Sequence, residues 1–452
     1  MSVPDKIELS LAEANDYGNC QWVMAYEQNK MLFTPGRGWM VWAKTHWKPD
    51  EAQIKRVITE SLLDRMVEAV KRQNDRLVKS TVPSAKHVKD TLFLLQAFRT
   101  IDDDEFTQVP HHLNFRNGLV DLQTGEMIPH HSKQRQTYCL DIDYEPGAES
   151  DLWEQCITQW IGSDVNLRSY LHRLLGYIIT GETSEEILVY IYGPTRSGKG
   201  TFLNTVHTLL GPLAASTDMD TFLDRRNGRN FALSGLINAR FVLAQETRTD
   251  QWLNTAMLKT ATGRDPLSVE QKYKTPYTAI PCFKIVLASN FPAKAPPDDT
   301  AFWESRMRAI PFINSYRGME DRALKNKLLS EENRRGIAAT LVRGAMAWYR
   351  QGLGPAPASI VENTQQMRSL SDSLGRWMTD ACVMDAAAES TARELHAAYT
   401  MWCDDEGISA GDRYPKADLI RRLNVRGLSV RRTTIGGRSG YSDYVVRGIR
   451  VS

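Results

Sequence analysis

The sequence predicts an α/β protein of several domains whose central domain is a parallel sheet carrying a phosphate-binding loop. Three observations support this. The apolar run Ile187 to Tyr192 passes into the glycine-rich turn Gly193 to Thr201 and then into the helix-like stretch Phe202 to Leu210. Two further apolar runs end in a polar group, Phe241 to Glu246 in a carboxylate and Phe283 to Asn290 in an amide. The chain has 452 residues, more than one core usually holds, so two to four domains are expected. Parallel strands of a doubly wound sheet open their C-terminal ends onto one crevice, where the glycine-rich turn also opens.

Taken in order, the chain begins with an expected helix around Leu11 to Gln28. Met31 to Phe33 and Trp39 to Trp42 then flank the turn Pro35 to Gly38 as a hairpin. Trp22, Trp39, Trp42 and Trp47 are expected in the core of this small module rather than stacked on bases. Glu51 to Leu77 has apolar residues at helical spacing, followed by a connecting segment that ends near Pro83 and a helix from Val88 to Phe98. Leu113 to Gly125 reads as two short strands with turns at Asn117-Gly118 and Thr124-Gly125. Two helices, Leu152 to Trp160 and Asn166 to Thr180, lead as a collar into the first strand of the sheet. Beyond the sheet, Gly352 to Ser359 marks a boundary, with helix-like residues to about Ala386. A helix from Thr391 to Glu406, a second from Pro415 to Leu423, and two strands around Gly436 to Gly440 suggest a winged helix. The expected domains are thus 1–110, 111–181, 182–350 and 351–452.

Formal charge is only +2, but its distribution is uneven. Between Arg413 and Arg450 ten basic residues face two acidic ones, so a basic end is attached to an acidic body. That asymmetry is expected of a module that meets a polyanion. The six cysteines show no C-x-x-C pairing, which points to reduced thiols in a cytosolic protein. The pairs His111-His112 and His130-His131 carry no zinc expectation, because adjacent side chains rarely point to one ion and no cysteine accompanies them. Neither an export signal nor a long apolar segment is evident, so a cytoplasmic location without membrane contact is expected.

The turn GPTRSGKGT supplies Gly193, Pro194, Thr195, Arg196, Ser197, Gly198, Lys199, Gly200 and Thr201 as candidate nucleotide-binding residues. Hydrolysis of a nucleoside triphosphate also needs a divalent ion, an oriented water and positive charge for the developing γ-phosphoryl group. Lys199 supplies the first charge, Glu246 is the candidate to position the water and hold hydrated Mg²⁺, and Asn290 is the candidate to contact the water or the γ-phosphate. Gly200 stands where a magnesium-ligating hydroxyl is usual, leaving Thr201 as the substitute or merely a helix cap. Arg306 and Arg308 follow in Trp303 to Phe312, and at a subunit boundary Arg306 would reach a neighbour's γ-phosphate. Surface ion pairing is the bland alternative for both.

These pieces together resemble a phage or plasmid primase-helicase protein of superfamily 3, in the poxvirus-type branch. The resemblance runs from about Gly18 to Pro311 through Trp39 to Trp42, Asn117 to Gly125, Leu174 to Gly181, the phosphate loop, Leu258 to Gly263, Phe283 to Asn290 and Trp303 to Phe312. It implies an AAA-like core in a hexameric ring that encircles DNA, hydrolyses ATP with Mg²⁺ and moves 3′ to 5′ on one strand of single-stranded or forked DNA. It further implies that Lys199 and Glu246 act from one subunit and Arg306 from the next, with Lys259 and Arg308 as further inter-subunit candidates. Lys272 and Lys274 match a region where the family places basic residues facing the channel. The residues before Leu113 are too few for a polymerase-like primase domain, so primase activity is not expected and a separate primase, polymerase or initiator would be a partner.

Within the basic end, Lys416, Arg421 and Arg422 would approach a DNA groove while Arg431, Arg432 and Arg438 meet phosphate. A DNA-binding initiator or motor with little unwinding is the first alternative to a helicase. A small-molecule kinase, suggested by Gly198-Lys199-Gly200-Thr201, and a structural DNA adaptor with a vestigial nucleotide site are the others.

Overall fold

A computed structural model describes residues 13–27, 30–106, 108–224, 234–245, 252–269, 277–435 and 441–452. At the centre lie five parallel strands, β7 (Leu188–Tyr192), β8 (Ala214–Asp218), β9 (Phe241–Gln245), β12 (Lys284–Ser289) and β13 (Met307–Pro311). Their spatial order is β13-β7-β12-β9-β8, so the first strand lies between the fifth and the fourth. A parallel sheet must be covered on both faces, and the sequence shows it as near-continuous apolar runs. Period-two alternation divides these runs between two cores. Val189, Ile191, Leu243, Val286 and Ile310 face one cluster, whereas Leu188, Tyr190, Val242, Ile285 and Leu287 face the other.

Helices α5 (Asp151–Ile161), α6 (Val165–Ile179), α7 (Lys199–Leu210) and α10 (Glu331–Gln351) supply most of the first core. Ser150 and Asp164 cap α5 and α6 through their side-chain oxygens, which sets where each helix starts. Helices α6 and α10 cross with almost no space between them: a Cβ on Gly176 would come within 2.0 Å of the Gly344 backbone. The second core is closed by α8 (Thr255–Thr262) and α11 (Ala358–Ser371). Helix α11 covers the outer edge of β13, where Asn363 Nδ2 donates to Ala309 O at 3.1 Å. The segment after Gln351 therefore stays with this body as far as Ser371, although the sequence places a boundary at Gly352 to Ser359.

Upstream, α1 (Asp16–Tyr26), α2 (Glu51–Lys71), α3 (Asp75–Thr81) and α4 (Ala85–Arg99) accompany an antiparallel sheet of β1 (Met31–Thr34), β2 (Gly38–Trp42) and β3 (Trp47–Pro49). The long helix expected from Glu51 to Leu77 is two helices. Gln73 adopts a left-handed φ of 54°, and Asn74 starts α3 by accepting from Leu77 N. Trp39 and Trp47 are 4% and 0% exposed, in the core as expected. A second sheet, β4 (His112–Phe115), β5 (Gly118–Asp121) and β6 (Met127–Ile128), joins this module through Trp47 Nε1, which donates to Ser132 O at 2.8 Å.

The C-terminal body has its own core of Leu374, Trp377, Leu395, Tyr399, Leu419 and Val446. It comprises α12 (Ser373–Ala381), β14 (Cys382–Thr391), α13 (Ala392–Asp405), α14 (Lys416–Val425), β15 (Ser429–Ile435) and β16 (Tyr441–Val451), with sheet order β14-β16-β15. The expectation of helix to about Ala386 fails here. Residues from Cys382 pair antiparallel with β16 instead, over Cys382 to Asp385 and again over Glu389 to Thr391, with Ala386 to Ala388 in the bulge between the two paired stretches.

Candidate functional site

The turn between β7 and α7 opens into a cleft of about 360 Å³. Its walls include Lys199, Thr201, Gln245, Asn290 and Lys325. Two close approaches shape the turn. A Cβ on Gly193 would meet Phe312 O at 2.0 Å, and one on Gly198, whose φ is +92°, would meet Trp160 Nε1 at 2.1 Å. Trp160 belongs to α5 and stacks on Phe312 while meeting Phe202 of α7 edge-on. An aromatic floor from three separate segments thus supports the loop.

The outer side of the loop is strapped by the chain that leaves β13. Ser315 Oγ donates to Thr195 O at 3.0 Å and Tyr316 N donates to Arg196 O at 2.9 Å. Arg196 is held at φ 65° and pairs with Glu320 at 3.6 Å. Gly200 faces open space, so no side chain occupies the position where the sequence lacks its hydroxyl. Thr201, one residue further along α7, lines the cleft.

Lys199 is only 9% exposed, and its Nζ donates to Gly193 O, Pro194 O, Ser197 Oγ and Asn290 Oδ1 at 2.7, 2.8, 3.1 and 2.9 Å. Burial pushes its pKa down to about 8, since desolvation disfavours the ammonium form. No carboxylate is among these partners. The ammonium is held by neutral oxygens that a phosphate oxygen can replace, and residues 195–201 of the turn line the same cleft, so the residues present fit a polyphosphate. Asn290 follows β12, the strand beside β7, which explains how residues 91 positions apart meet.

Glu246, the candidate water-positioning carboxylate, lies outside the described residues, as do Lys272, Lys274 and Arg438. Strand β9 is described to Gln245, which pairs with Ala288 of β12 and lines the cleft. Arg306 is at the opposite end of the sheet, about 16 Å away along five residues of strand. There its guanidinium bonds Glu186 Oε2 at 2.9 Å and Thr262 Oγ1 at 3.3 Å. The structure therefore does not bring Arg306 to its own chain's glycine-rich turn. Arg308 donates to Met307 O, and Lys259 pairs with Asp299 at 2.8 Å.

Among the expected DNA contacts, Lys416 pairs with Asp443, Arg421 with Asp418 and Arg431 with Glu389. Arg432 is on an exposed face of β15. Arg422 differs from expectation: it turns toward the central body, pairs with Asp298 and lies over the Tyr414 ring at 4.4 Å. Helix α14 packs its Leu419 and Leu423 into the C-terminal core, which leaves Arg422 on the side that meets Asp298. Two participants were missed from sequence. Lys325 reaches the cleft from α9 (Leu324–Leu328), and Trp160 supports the loop from below. Neither has a local motif, and each is far from the loop in sequence.

Residues 20–162 match the family described as "D5 N terminal like", and residues 191–306 match a "Family of unknown function (DUF5906)". Among curated proteins, the chain is 24% identical over 257 residues to "Putative helicase L207/L206" of Acanthamoeba polyphaga mimivirus, covering 56% of this chain and 26% of the relative. It is 20% identical over 299 residues to "Putative helicase 022R" of Frog virus 3 (isolate Goorha), covering 62% and 30%. The chain thus spans less than a third of either relative. Two apo structures of the NrS-1 C terminal region align with TM-scores of 0.48 and 0.42 at 10% and 11% identity, covering 95% and 74% of this chain and 100% and 92% of theirs. Such distant likenesses do not bear on the fold.

Proposed function

We infer that this chain belongs with the phage and viral primase-helicase proteins it resembles, and propose on that premise that it is an ATP-dependent DNA helicase of superfamily 3, active as a ring. The observation that carries the reading is the pairing of Lys199 at the start of α7 with Asn290 at the end of the adjacent parallel strand, inside a cleft. The bond sets the asparagine beside the lysine that would contact the γ-phosphate. The strand order, with the loop-bearing strand between the fourth and fifth, supports an AAA-like phosphate-loop core.

In this proposal residues 193–201 hold the β- and γ-phosphates through backbone N–H groups and Lys199. Asn290 exchanges its bond to Lys199 for one to the attacking water or the γ-phosphate. Thr201 and Glu246 would hold Mg²⁺, which supplies charge neutralisation across the β- and γ-oxygens. Arg306, remote from its own loop, would act on the nucleotide of a neighbouring subunit, releasing Glu186 as the ring closes. Lys259 and Arg308 would border the same junction. Lys272, Lys274 and the basic C-terminal body, as a winged-helix-like module, would contact single-stranded or forked DNA. Translocation from 3′ to 5′ and a hexameric ring are part of the proposal, as are a separate primase or initiator partner and action in the cytoplasm of a host cell. Among the described residues no helix is long and apolar enough to cross a membrane.

The test is ATP-dependent unwinding of duplexes bearing a 3′ or a 5′ single-stranded tail. Unwinding is expected only with the 3′ tail, with loss in Lys199→Ala and a fall of about 10³-fold or more in Arg306→Ala hydrolysis. Mixing Lys199→Ala with Arg306→Ala subunits should restore hydrolysis at junctions that join an intact Lys199 to an intact Arg306, whereas no recovery in mixed rings would refute a shared site. The alternative of an initiator or motor is favoured by the C-terminal body's polar docking on the central body. It predicts DNA-stimulated hydrolysis with no strand separation on either tail.

A further inference from the structure

Two imidazoles and a carboxylate converge at the opposite end of the sheet from the phosphate loop. His112 opens β4 and is the antiparallel partner of Asp121, which ends β5. Cross-strand partners present their side chains on one face. His111 precedes the strand, where its carbonyl accepts from Leu122 N at 2.7 Å, and its ring lies 4.6 Å from that of His112 at an interplanar angle of 69°. A ligating atom from each of His111, His112 and Asp121 lies within 4.8 Å of the others. Adjacent histidines, which the sequence gives no reason to aim at one point, are here turned together by the break between the turn and the strand.

His130 Nε2 bonds Phe115 O at 2.9 Å and His131 Nδ1 accepts from Lys133 N at 3.1 Å, so each has a ring nitrogen engaged in local structure. Among the described residues, the rings of His111 and His112 have no hydrogen-bond partner. Asp121 uses one oxygen to accept from Gln123 N at 2.7 Å, which orients the carboxylate and leaves its other oxygen available. All three side chains are half-buried, so water can complete a coordination sphere.

We propose that His111, His112 and Asp121 form a binding site for a borderline divalent transition ion of the Zn²⁺, Co²⁺ or Ni²⁺ class. Two imidazoles and one carboxylate suit such an ion and disfavour Mg²⁺ and Ca²⁺, which take oxygen ligands. Ligands on one ion at about 2.0–2.2 Å lie closer together than 4.8 Å, so binding draws the rings inward by a small rotation that no hydrogen bond opposes. The location gives the site a structural role. Val109 O accepts from Arg240, which precedes β9, and Pro110 O accepts from Gly181 N, at the entry to the sheet. An ion on His111 and His112 would therefore staple the segment that joins the β4–β6 module to the central body. Two features limit affinity: among the described residues neither ring donates to an oxygen that would fix its orientation, and Arg240 places a cation near His112.

The experiment dialyses the full chain against chelator and titrates it with Co²⁺, read by visible absorption, and with Zn²⁺, read by calorimetry and by thermal unfolding. One ion per chain, a raised unfolding temperature and no displacement by millimolar Mg²⁺ are expected. His112→Ala and Asp121→Asn should each weaken binding about tenfold or more, while the double variant His130→Ala/His131→Ala should bind as the wild type does. If His112→Ala fails to fold, His111→Gln, whose circular dichroism can be matched to wild type, takes its place. Absence of binding to the wild type, or equal affinity in the ligand variants, overturns the proposal. Lys199→Ala should retain the metal while losing nucleotide, so the metal site and the nucleotide reading succeed or fail separately.

Discussion

Gly198 and Gly200 flank the loop lysine but answer to different constraints. Gly198 has φ +92° and leaves no room for a Cβ beside Trp160, whereas Gly200 lies within α7 with nothing in reach. Gly198→Ala combines left-handed strain with overpacking, so a loss of about 2–4 kcal/mol in denaturant unfolding is expected, together with loss of nucleotide binding. Gly200→Ala should instead stabilise by about 0.5–1 kcal/mol, because alanine reduces the freedom of the unfolded chain and favours helix. An equal response to both changes would show that the loop is not held against Trp160 as described. The glycine pattern itself was visible in the sequence. The reason for the second of the three loop glycines was not, because Trp160 is contributed by a helix 38 residues earlier.

Strand β12 has a polar residue at its start and another just beyond its end, and the two do different things. Asn290 meets Lys199 at the cleft, while Lys284, buried at the other end, donates to Thr180 O, Glu182 O and Cys282 O and lies 5.2 Å from the centre of the Tyr177 ring. Arg240 donates nearby to Ile179 O at 2.7 Å. Two cations therefore hold the carbonyls at the C-terminus of α6, where the helix dipole is negative. Lys284 has no carboxylate contact, and its burial pushes the pKa down to about 7. In the unfolded chain lysine keeps its proton to about 10.5, so between these values the unfolded state binds more protons and stability rises with pH. Lys284→Met should cost about 1–3 kcal/mol through the abandoned carbonyls. Wild-type stability relative to Lys284→Met should increase from pH 7 to 10, measured by denaturant titration, and a gap that stays flat would mean that the amine remains charged. An isolated lysine at the head of an apolar strand is legible in the sequence, but its acceptors come from the end of α6 and could not be read there.

The C-terminal body is attached to the central body by polar contacts. Asp412 accepts from Trp252 Nε1 at 2.8 Å and from Lys294 at 2.9 Å, while Asp298 pairs with Arg422 and, at 3.8 Å, with Arg426. Its apolar cluster contains no residue of the central sheet. Salt weakens such docking, and phosphates compete for the same guanidinium groups. Asp298→Ala should free Arg422, while Arg426 keeps Asp372 at 2.6 Å, and tighten DNA binding severalfold at low salt, measured by fluorescence anisotropy. Unchanged or weaker binding would mean that these arginines serve only to join the two bodies.

What the sequence determined by itself was everything governed by local spacing: the glycine-rich turn, the apolar strands beside it, the collar helices and the helix from Ala392 that Thr391 and Glu394 cap reciprocally. It also indicated that Lys199 and Asn290 would meet at one crevice, because strand ends in a parallel sheet share an edge. Tertiary structure alone decided which cations remain available and which are spent. Arg422 on Asp298, Arg306 on Glu186 and the convergence of His111 and His112 on Asp121 all depend on how separate segments are brought together. The same holds for β14, whose stretches Cys382 to Asp385 and Glu389 to Thr391 are strand only because β16 offers them its backbone. Propensity and motif act over a few residues, whereas the partner of a charge or of an edge strand is set by packing across the whole chain.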